Sequence, residues 1–280
     1  MIGQKRLRNE FSELIENGKL PRFFILVGEQ GSGKQELIKW IIRKFKETTP
    51  CFSCKEDTKV DTIRDMVVDA YKQAGNPVFY IIPNADNMSL AAKNALLKVT
   101  EEPPNRAYFV MTLSNEFNTL ATIKSRATLF KMDTYTNEDL ADFMSTLPDM
   151  SREEAHQLLE MCSTIGGIKK VREYGTEDFY NFTSKVVDSL SEAPLANSLK
   201  ICSSMSTKED DGKYDIELFW VAYVRVSASR ALDSKQDYGV RVKYAQNILT
   251  TSYYLRTLRM VTGINKSQLF DRWILEILGL

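Results

Sequence analysis

Neither charge is in excess in this chain: 37 lysine and arginine residues stand against 37 aspartate and glutamate residues in 280. No whole-chain field therefore draws in DNA, a membrane surface or an acidic partner from a distance, and any nucleic-acid contact has to be local or shared with other chains. Long hydrophobic runs are also missing. The chain passes from Met1-Ile2-Gly3-Gln4-Lys5-Arg6 straight into an amphipathic pattern, with no apolar signal-peptide core and no stretch long enough to cross a bilayer. The expectation is a cytoplasmic protein without a membrane partner. Cysteine and histidine are scarce. Of four cysteines only Cys51 and Cys54 have a ligand-like spacing, which argues against a disulfide framework. A Cys-x-x-Cys pair supplies half of a structural zinc's ligands, and the single histidine, His156, lies far off on a polar helical stretch. Zinc is therefore not expected, nor any other metal site. A turn closing a loop is the expected role of the pair, because no thioredoxin-like βαβ pattern surrounds it.

What is present is an ordinary globular balance, 43% hydrophobic and 26% charged, in a length that suits two or three compact units. Residues 1 to 17 read as a helix ended by Gly18 and Pro21, before Phe23-Phe24-Ile25-Leu26-Val27, an apolar run typical of a buried parallel strand. A glycine-rich turn and a helix from Glu36 to Lys46 follow. Thr62 to Gln73 repeats apolar residues at helical spacing until Gly75-Asn76-Pro77 breaks the pattern, and Val78 to Ile82 reads as a second buried strand. Ser89 to Thr100 reads as one helix stopped by Pro103 and Pro104. Tyr108 to Thr112 and Thr128 to Met132 are the third and fourth strands. Strands alternating with helices imply a three-layer α/β domain with a parallel sheet. From about residue 135 only helical patterns remain, interrupted by a polar loop at Ser206 to Gly212.

Gly28-Glu29-Gln30-Gly31-Ser32-Gly33-Lys34-Gln35 fits G-x-x-x-x-G-K between a strand and a helix, which is the context of a phosphate-binding loop. Gly28, Gly31, Ser32 and Gly33 let backbone N–H groups turn inward around phosphate oxygens, the following helix offers its positive end, and Lys34 reaches the outer phosphates. Gln35 departs from the pattern, which places Ser or Thr there to hold Mg²⁺. The second strand should end in an acid that positions the metal, with a glutamate beside it to orient water. Here Pro83 has no ligand atom and Asn84 is a poor base. Asp86, beyond the strand end, reads as a cap for the helix starting near Ser89 rather than as a displaced metal ligand. The site is therefore expected to bind ATP, if any nucleotide, without hydrolysing it, and to lack the usual Mg²⁺ ligands.

These residues resemble the AAA+ subunits of bacterial DNA polymerase III clamp loaders, most nearly the delta-prime type. Ile2-Gly3-Gln4 resembles the family's adenine-side box, and Val60 to Arg64 its segment ahead of the second strand. Asn84 to Met88 and Ala92 to Pro104 are similar to its most distinctive block. Thr122-Ile123-Lys124-Ser125-Arg126-Ala127 is similar to its Ser-Arg-Cys motif, with Ala127 in place of the cysteine; Asn265, Leu269, Asp271 and Trp273 to Leu275 resemble the last helix of delta-prime. The resemblance is strong over residues 1 to 132 and weak over the helical remainder. It implies a P-loop domain over 1–134, a helical lid over 135–177 and a helical collar for oligomerisation over 178–280. It implies that Arg126 is an arginine finger acting in trans, that Thr112 and Ser114 lie near a sensor position, and that Lys169 stands where the lid's second sensor has arginine. Thr112 and Ser114 read equally as strand-end hydroxyls satisfying backbone groups. Glu101 and Glu102 read as making salt links or partner contacts, and Tyr253, Tyr254, Arg256 and Arg259 as packing and a solvated face. The partners implied are other clamp-loader subunits of the gamma/tau and delta types, a sliding clamp, and primer-template DNA through the assembled complex. Two alternatives stay open: a hydrolysing P-loop ATPase of the gamma/tau type, and a nucleotide-free AAA+ adaptor.

Overall fold

The computed structural model describes residues 1–45, 59–72, 77–192, 214–261 and 263–280. These form two compact units, Met1–Thr136 and Asn137–Leu280. Cys51 and Cys54, the break at Gly75-Asn76 and the loop at Ser206 to Gly212 lie outside the described residues.

The first unit is built on four parallel strands, β1 (Phe23–Val27), β2 (Val78–Ile82), β3 (Ala107–Leu113) and β4 (Thr128–Lys131), in the spatial order β2-β3-β1-β4. Every residue of β1 is buried, which explains why its sequence does not alternate. Its side chains divide between two cores. Phe23, Ile25 and Val27 pack with Ile63, Met66 and Ala70 of α3 (Val60–Lys72), Ala92 of α4 (Leu90–Ala95) and Val99 of α5 (Leu97–Glu101). Phe24 and Leu26 face the opposite way, onto Leu7 and Phe11 of α1 (Lys5–Glu16) and Leu37, Ile38 and Ile41 of α2 (Lys34–Phe45). At about 1.5–3 kcal/mol per fully buried large side chain, these two layers fix the sheet between its helices.

Gly18, at φ 64°, ends α1 in the left-handed conformation. Paired bonds from Gly18 N to Ile15 O (3.1 Å) and Lys19 N to Leu14 O (2.8 Å) close the turn before the chain enters β1. Ser89 caps α4 by accepting from Ala92 N at 3.2 Å. The single helix expected over 89–100 is divided instead: the chain tightens at Leu96, whose N–H reaches Lys93 O three residues back at 3.2 Å, and resumes as α5. A short helix, α6 (Ala121–Lys124), precedes β4.

The second unit is helical throughout its described residues: α7 (Asn137–Ser145), α8 (Arg152–Met161), α9 (Ile165–Tyr174), α10 (Thr176–Glu192), α11 (Ile216–Leu232), α12 (Tyr238–Met260) and α13 (Lys266–Leu278). Phe219, Trp220 and Tyr223 of α11 pack against Phe270 and Trp273 of α13. The Trp273 indole N–H donates to Thr251 of α12 at 2.9 Å, so the one polar atom of that ring keeps a partner inside the core. Cys162 is buried among these helices, and burial pushes its thiol up to about 12, which fits packing rather than redox chemistry.

Candidate functional site

The residues expected to bind nucleotide come together in one loop. Gly28, Gly31, Ser32, Gly33, Lys34 and Gln35 join the carboxyl end of β1 to the start of α2. In the order β2-β3-β1-β4, the connection leaving β1 runs past β3 to β2 on one side and the connection leaving β3 runs past β1 to β4 on the other, so this loop stands at the point where an open parallel sheet presents its crevice. Its first residue is pinned to the neighbouring strand by Gly28 N donating to Leu113 O at 3.0 Å. Gly31 and Gly33 have φ of 80° and 86°, a conformation that side-chain-bearing residues rarely adopt. The bond from Leu37 N to Gly33 O, 2.9 Å, starts α2 with its free N–H groups at the loop. Lys34 folds its ammonium back onto the loop, donating to the carbonyls of Gly28 and Glu29, the latter at 2.9 Å. A glycine-shaped backbone concavity, a helix N-terminus and a lysine beside them fit the phosphates of a nucleotide.

The residues present do not fit Mg²⁺. Gln35 is exposed on the first turn of α2. Pro83 is buried at the end of β2 with no ligand atom, and Asn84 follows in the left-handed conformation at φ 48°. Asp86 does not cap the helix that follows. Its carboxylate accepts from Ser114 N at 2.9 Å, Ser114 Oγ at 2.7 Å, Asn115 N at 3.3 Å and Asn118 Nδ2 at 2.9 Å. It therefore staples the turn after β2 to the chain leaving β3, while Ser89 does the capping. Thr112, buried in β3, satisfies a backbone group by accepting from Asn84 N at 2.9 Å, whereas the Ser114 hydroxyl donates to the Asp86 side chain at 2.7 Å rather than to the backbone.

Arg126 lies just before β4, at the other edge of the sheet. The register pairs Phe24 with Thr128 and Val27 with Lys131, so Arg126 stands beside the start of β1 whereas the phosphate loop follows its end. Four residues at about 3.3 Å separate the two edges by roughly 13 Å. The guanidinium is held at the surface, Nη1 donating to Thr122 O at 2.9 Å and Nη2 pairing with Glu101 at 3.2 Å. Glu101 thus makes the salt link expected of it. Glu116, close by, sits between Lys124 and Lys131, whose hydrogen bonds hold its carboxyl below the usual range.

In the second unit Lys169 of α9 is exposed, with its ammonium over the Phe143 ring. Tyr254 is buried and donates to Glu276 at 2.7 Å, and Arg259 pairs with Glu217 at 2.7 Å, leaving Tyr253 and Arg256 on the exposed face. Among the described residues no cluster of His, Cys, Asp or Glu could hold a metal, and no helix is long and apolar enough to cross a membrane.

Two further contacts shape the site. The Gln4 side chain bonds both backbone groups of Asp133, donating to its O at 2.7 Å and accepting from its N at 2.8 Å. Tyr135 donates its hydroxyl to Ser32 O at 3.0 Å, inside the phosphate loop. Gln4 had a signal in the sequence, the Ile2-Gly3-Gln4 box; Tyr135 had none.

Comparison with known proteins places these features in a family context. Residues 44–136 match the family model described as DNA polymerase III, delta subunit. Over 170 residues the chain is 26% identical to the DNA polymerase III subunit gamma of Buchnera aphidicola subsp. Schizaphis graminum, covering 51% of this chain and 47% of that protein. Over 147 residues it is 36% identical to subunit delta' of the same organism, covering 42% and 45%. The chain thus spans less than half the length of either relative. Among solved structures, a RuvB variant of Thermotoga maritima superposes with a TM-score of 0.50 at 14% identity, covering 98% of this chain and 88% of that one, a likeness of fold. The resemblance to AAA+ clamp-loader subunits of the delta-prime kind is upheld, as is a parallel α/β domain followed by a helical part.

Proposed function

We propose that this relative of the DNA polymerase III delta' and gamma subunits works as a delta-prime-like clamp-loader subunit, which does not hydrolyse ATP and offers Arg126 to the nucleotide of a neighbouring subunit. The observation that carries the reading is the placement of Arg126. It is surface-held about a strand's length from the chain's own phosphate loop, which favours a phosphate on another chain. The turn after β2 supports the same reading from the other side, because Pro83, Asn84 and Asp86 offer neither a metal ligand nor a base for water. ATP is held, on this reading, by Gly28, Gly31, Ser32, Gly33 and Lys34, with no step of hydrolysis following. Residues 135–177 serve as a lid and 178–280 as a collar through which other subunits of the gamma/tau and delta types assemble. The work of the assembly is to place a sliding clamp on primer-template DNA in the cytoplasm.

The test is DNA- and clamp-stimulated ATPase, measured on this chain alone and on an assembly with the hydrolysing subunits of the same source. The expected result is no turnover by the chain alone, a loss on the order of 10³ at the neighbouring site in Arg126→Ala, and little change in Lys34→Ala. Turnover by the chain alone that Lys34→Ala abolishes would instead make it a hydrolysing subunit and overturn the proposal.

A further inference from the structure

Two glycines of the phosphate loop are filled in by side chains from a single segment, the stretch that leaves β4. A Cβ on Gly28 would stand 2.7 Å from Cβ and Cγ of Met132, and equally close to Ser32 Oγ of the loop itself, and one on Gly33 would stand 2.6 Å from the Tyr135 hydroxyl. The segment starts beside the loop because β4 pairs with β1, and Met132 N continues that ladder by donating to Val27 O at 2.7 Å. It is gripped from its other side as well. Gln4 bonds both backbone groups of Asp133, and Arg6 donates to the Asp133 carboxylate at 2.8 Å and to Lys131 O at 2.9 Å. Residues 131–135 are therefore a fixed wall against which the loop rests.

Tyr135 meets that loop at a chemically informative atom. In a concavity that binds anions the N–H groups turn inward and the carbonyls outward. The Tyr135 hydroxyl donates at 3.0 Å to the carbonyl of Ser32, the same peptide unit that carries the N–H of Gly33. A donor on the outer carbonyl fixes the rotation of that peptide, which Gly33 at φ 86° leaves otherwise free, and polarises its N–H toward an anion on the inner side. We infer that Tyr135 is a positioning residue of the phosphate site: it orients the Ser32–Gly33 peptide for a nucleotide's phosphate oxygens without touching the nucleotide. The inference rests on the reading of the loop as a nucleotide site.

The full chain, as wild type, Tyr135→Phe and Lys34→Ala, is titrated with a fluorescent ADP, and inorganic pyrophosphate is then used to displace it. Phenylalanine keeps the ring and removes only the donated proton. Tyr135→Phe is expected to weaken ADP binding about fivefold and to weaken displacement by pyrophosphate by a similar factor, while the chain stays folded, its melting temperature falling by no more than the few degrees that one lost internal hydrogen bond implies. Pyrophosphate carries phosphates and no base, so a shift in its affinity is one that a base contact or a general loss of stability would not produce. Wild-type affinity for both ligands in Tyr135→Phe, or a weakened ADP with unaltered pyrophosphate, overturns the inference while the nucleotide reading stands. No ADP binding by the wild type, even at millimolar concentration, removes the nucleotide reading and this inference with it.

Discussion

The loop after β1 and the turn after β2 lie at the same carboxyl edge of one sheet, two strand positions apart, and have opposite fates. The first keeps its left-handed glycines, the N-terminus of α2 and Lys34. The second has a proline where a P-loop enzyme has an acid, and its Asn84 backbone N–H and Asp86 carboxylate are engaged inside the protein, the first on Thr112 and the second on Ser114, Asn115 and Asn118. On the proposed reading, the contrast means that holding phosphate and cleaving it rest on different parts of the chain. Phosphate is held chiefly by backbone N–H groups, which survive any substitution that preserves the loop's shape. Cleavage needs particular carboxylates at particular distances, and one side chain redirected to a structural task removes it.

The sharpest way to break this comparison is to ask whether Asp86 is structural at all. Asp86→Ala leaves the backbone N–H groups of Ser114 and Asn115 and the side chains of Ser114 and Asn118 without their acceptor. Hydrogen bonds to a charged group contribute more than neutral ones, and several are lost together, so a destabilisation of about 3 kcal/mol is expected in equilibrium urea unfolding. A change below about 0.5 kcal/mol would mean that the carboxylate is free for another role. Smaller, on the same turn, is the effect of Thr112→Val. The isosteric side chain keeps the packing of β3 but deprives Asn84 N of its acceptor, for an expected cost of about 1 kcal/mol in the same assay. Loss of nucleotide binding in that variant, without the change in stability, would mark Thr112 as part of the site instead.

The sequence made the two regions unequally legible. β1 and β2 are delimited at the residues expected, because short apolar runs between turn signals leave little latitude, and the phosphate loop is legible because its chemistry is written in consecutive residues. The turn after β2 was legible in what it lacks, Pro83 and Asn84 being visible as substitutions. What Asp86 does was not, since its donors lie about thirty residues on, and only the pairing of β2 with β3 brings them near. The break at Leu96 has the same character: the periodicity of 89–100 is continuous, and the tightening is a property of the backbone alone. Tyr135 is the extreme case. Its partner is 103 residues away, it sits in an irregular segment, and no spacing rule connects it to Ser32. Contacts made by irregular chain across a sheet are the part of a site that pattern reading reaches last.

The smallest expected effect sharpens the comparison most, because it separates the two regions in one titration. If the loop holds phosphate by itself and no acid at the end of β2 shares a metal with it, ATP affinity depends little on Mg²⁺. In P-loop enzymes the metal is held between the nucleotide's phosphates, a loop hydroxyl and an acid at a strand end. Here Gln35 replaces the hydroxyl, Pro83 the acid, and the Asp86 carboxylate is already surrounded by donors. Affinity for a fluorescent ATP measured in excess Mg²⁺ and again in excess EDTA is therefore expected to agree within about twofold, or about 0.4 kcal/mol. Gln35→Thr, which returns only the loop's share of the ligands, should keep the dependence under about threefold, since the β2 side still offers nothing to complete the shell. Tenfold tighter binding with Mg²⁺ in the wild type would place a working metal site where the structure has Pro83 and a fully engaged Asp86, and the division between holding and cleaving phosphate would have to be redrawn.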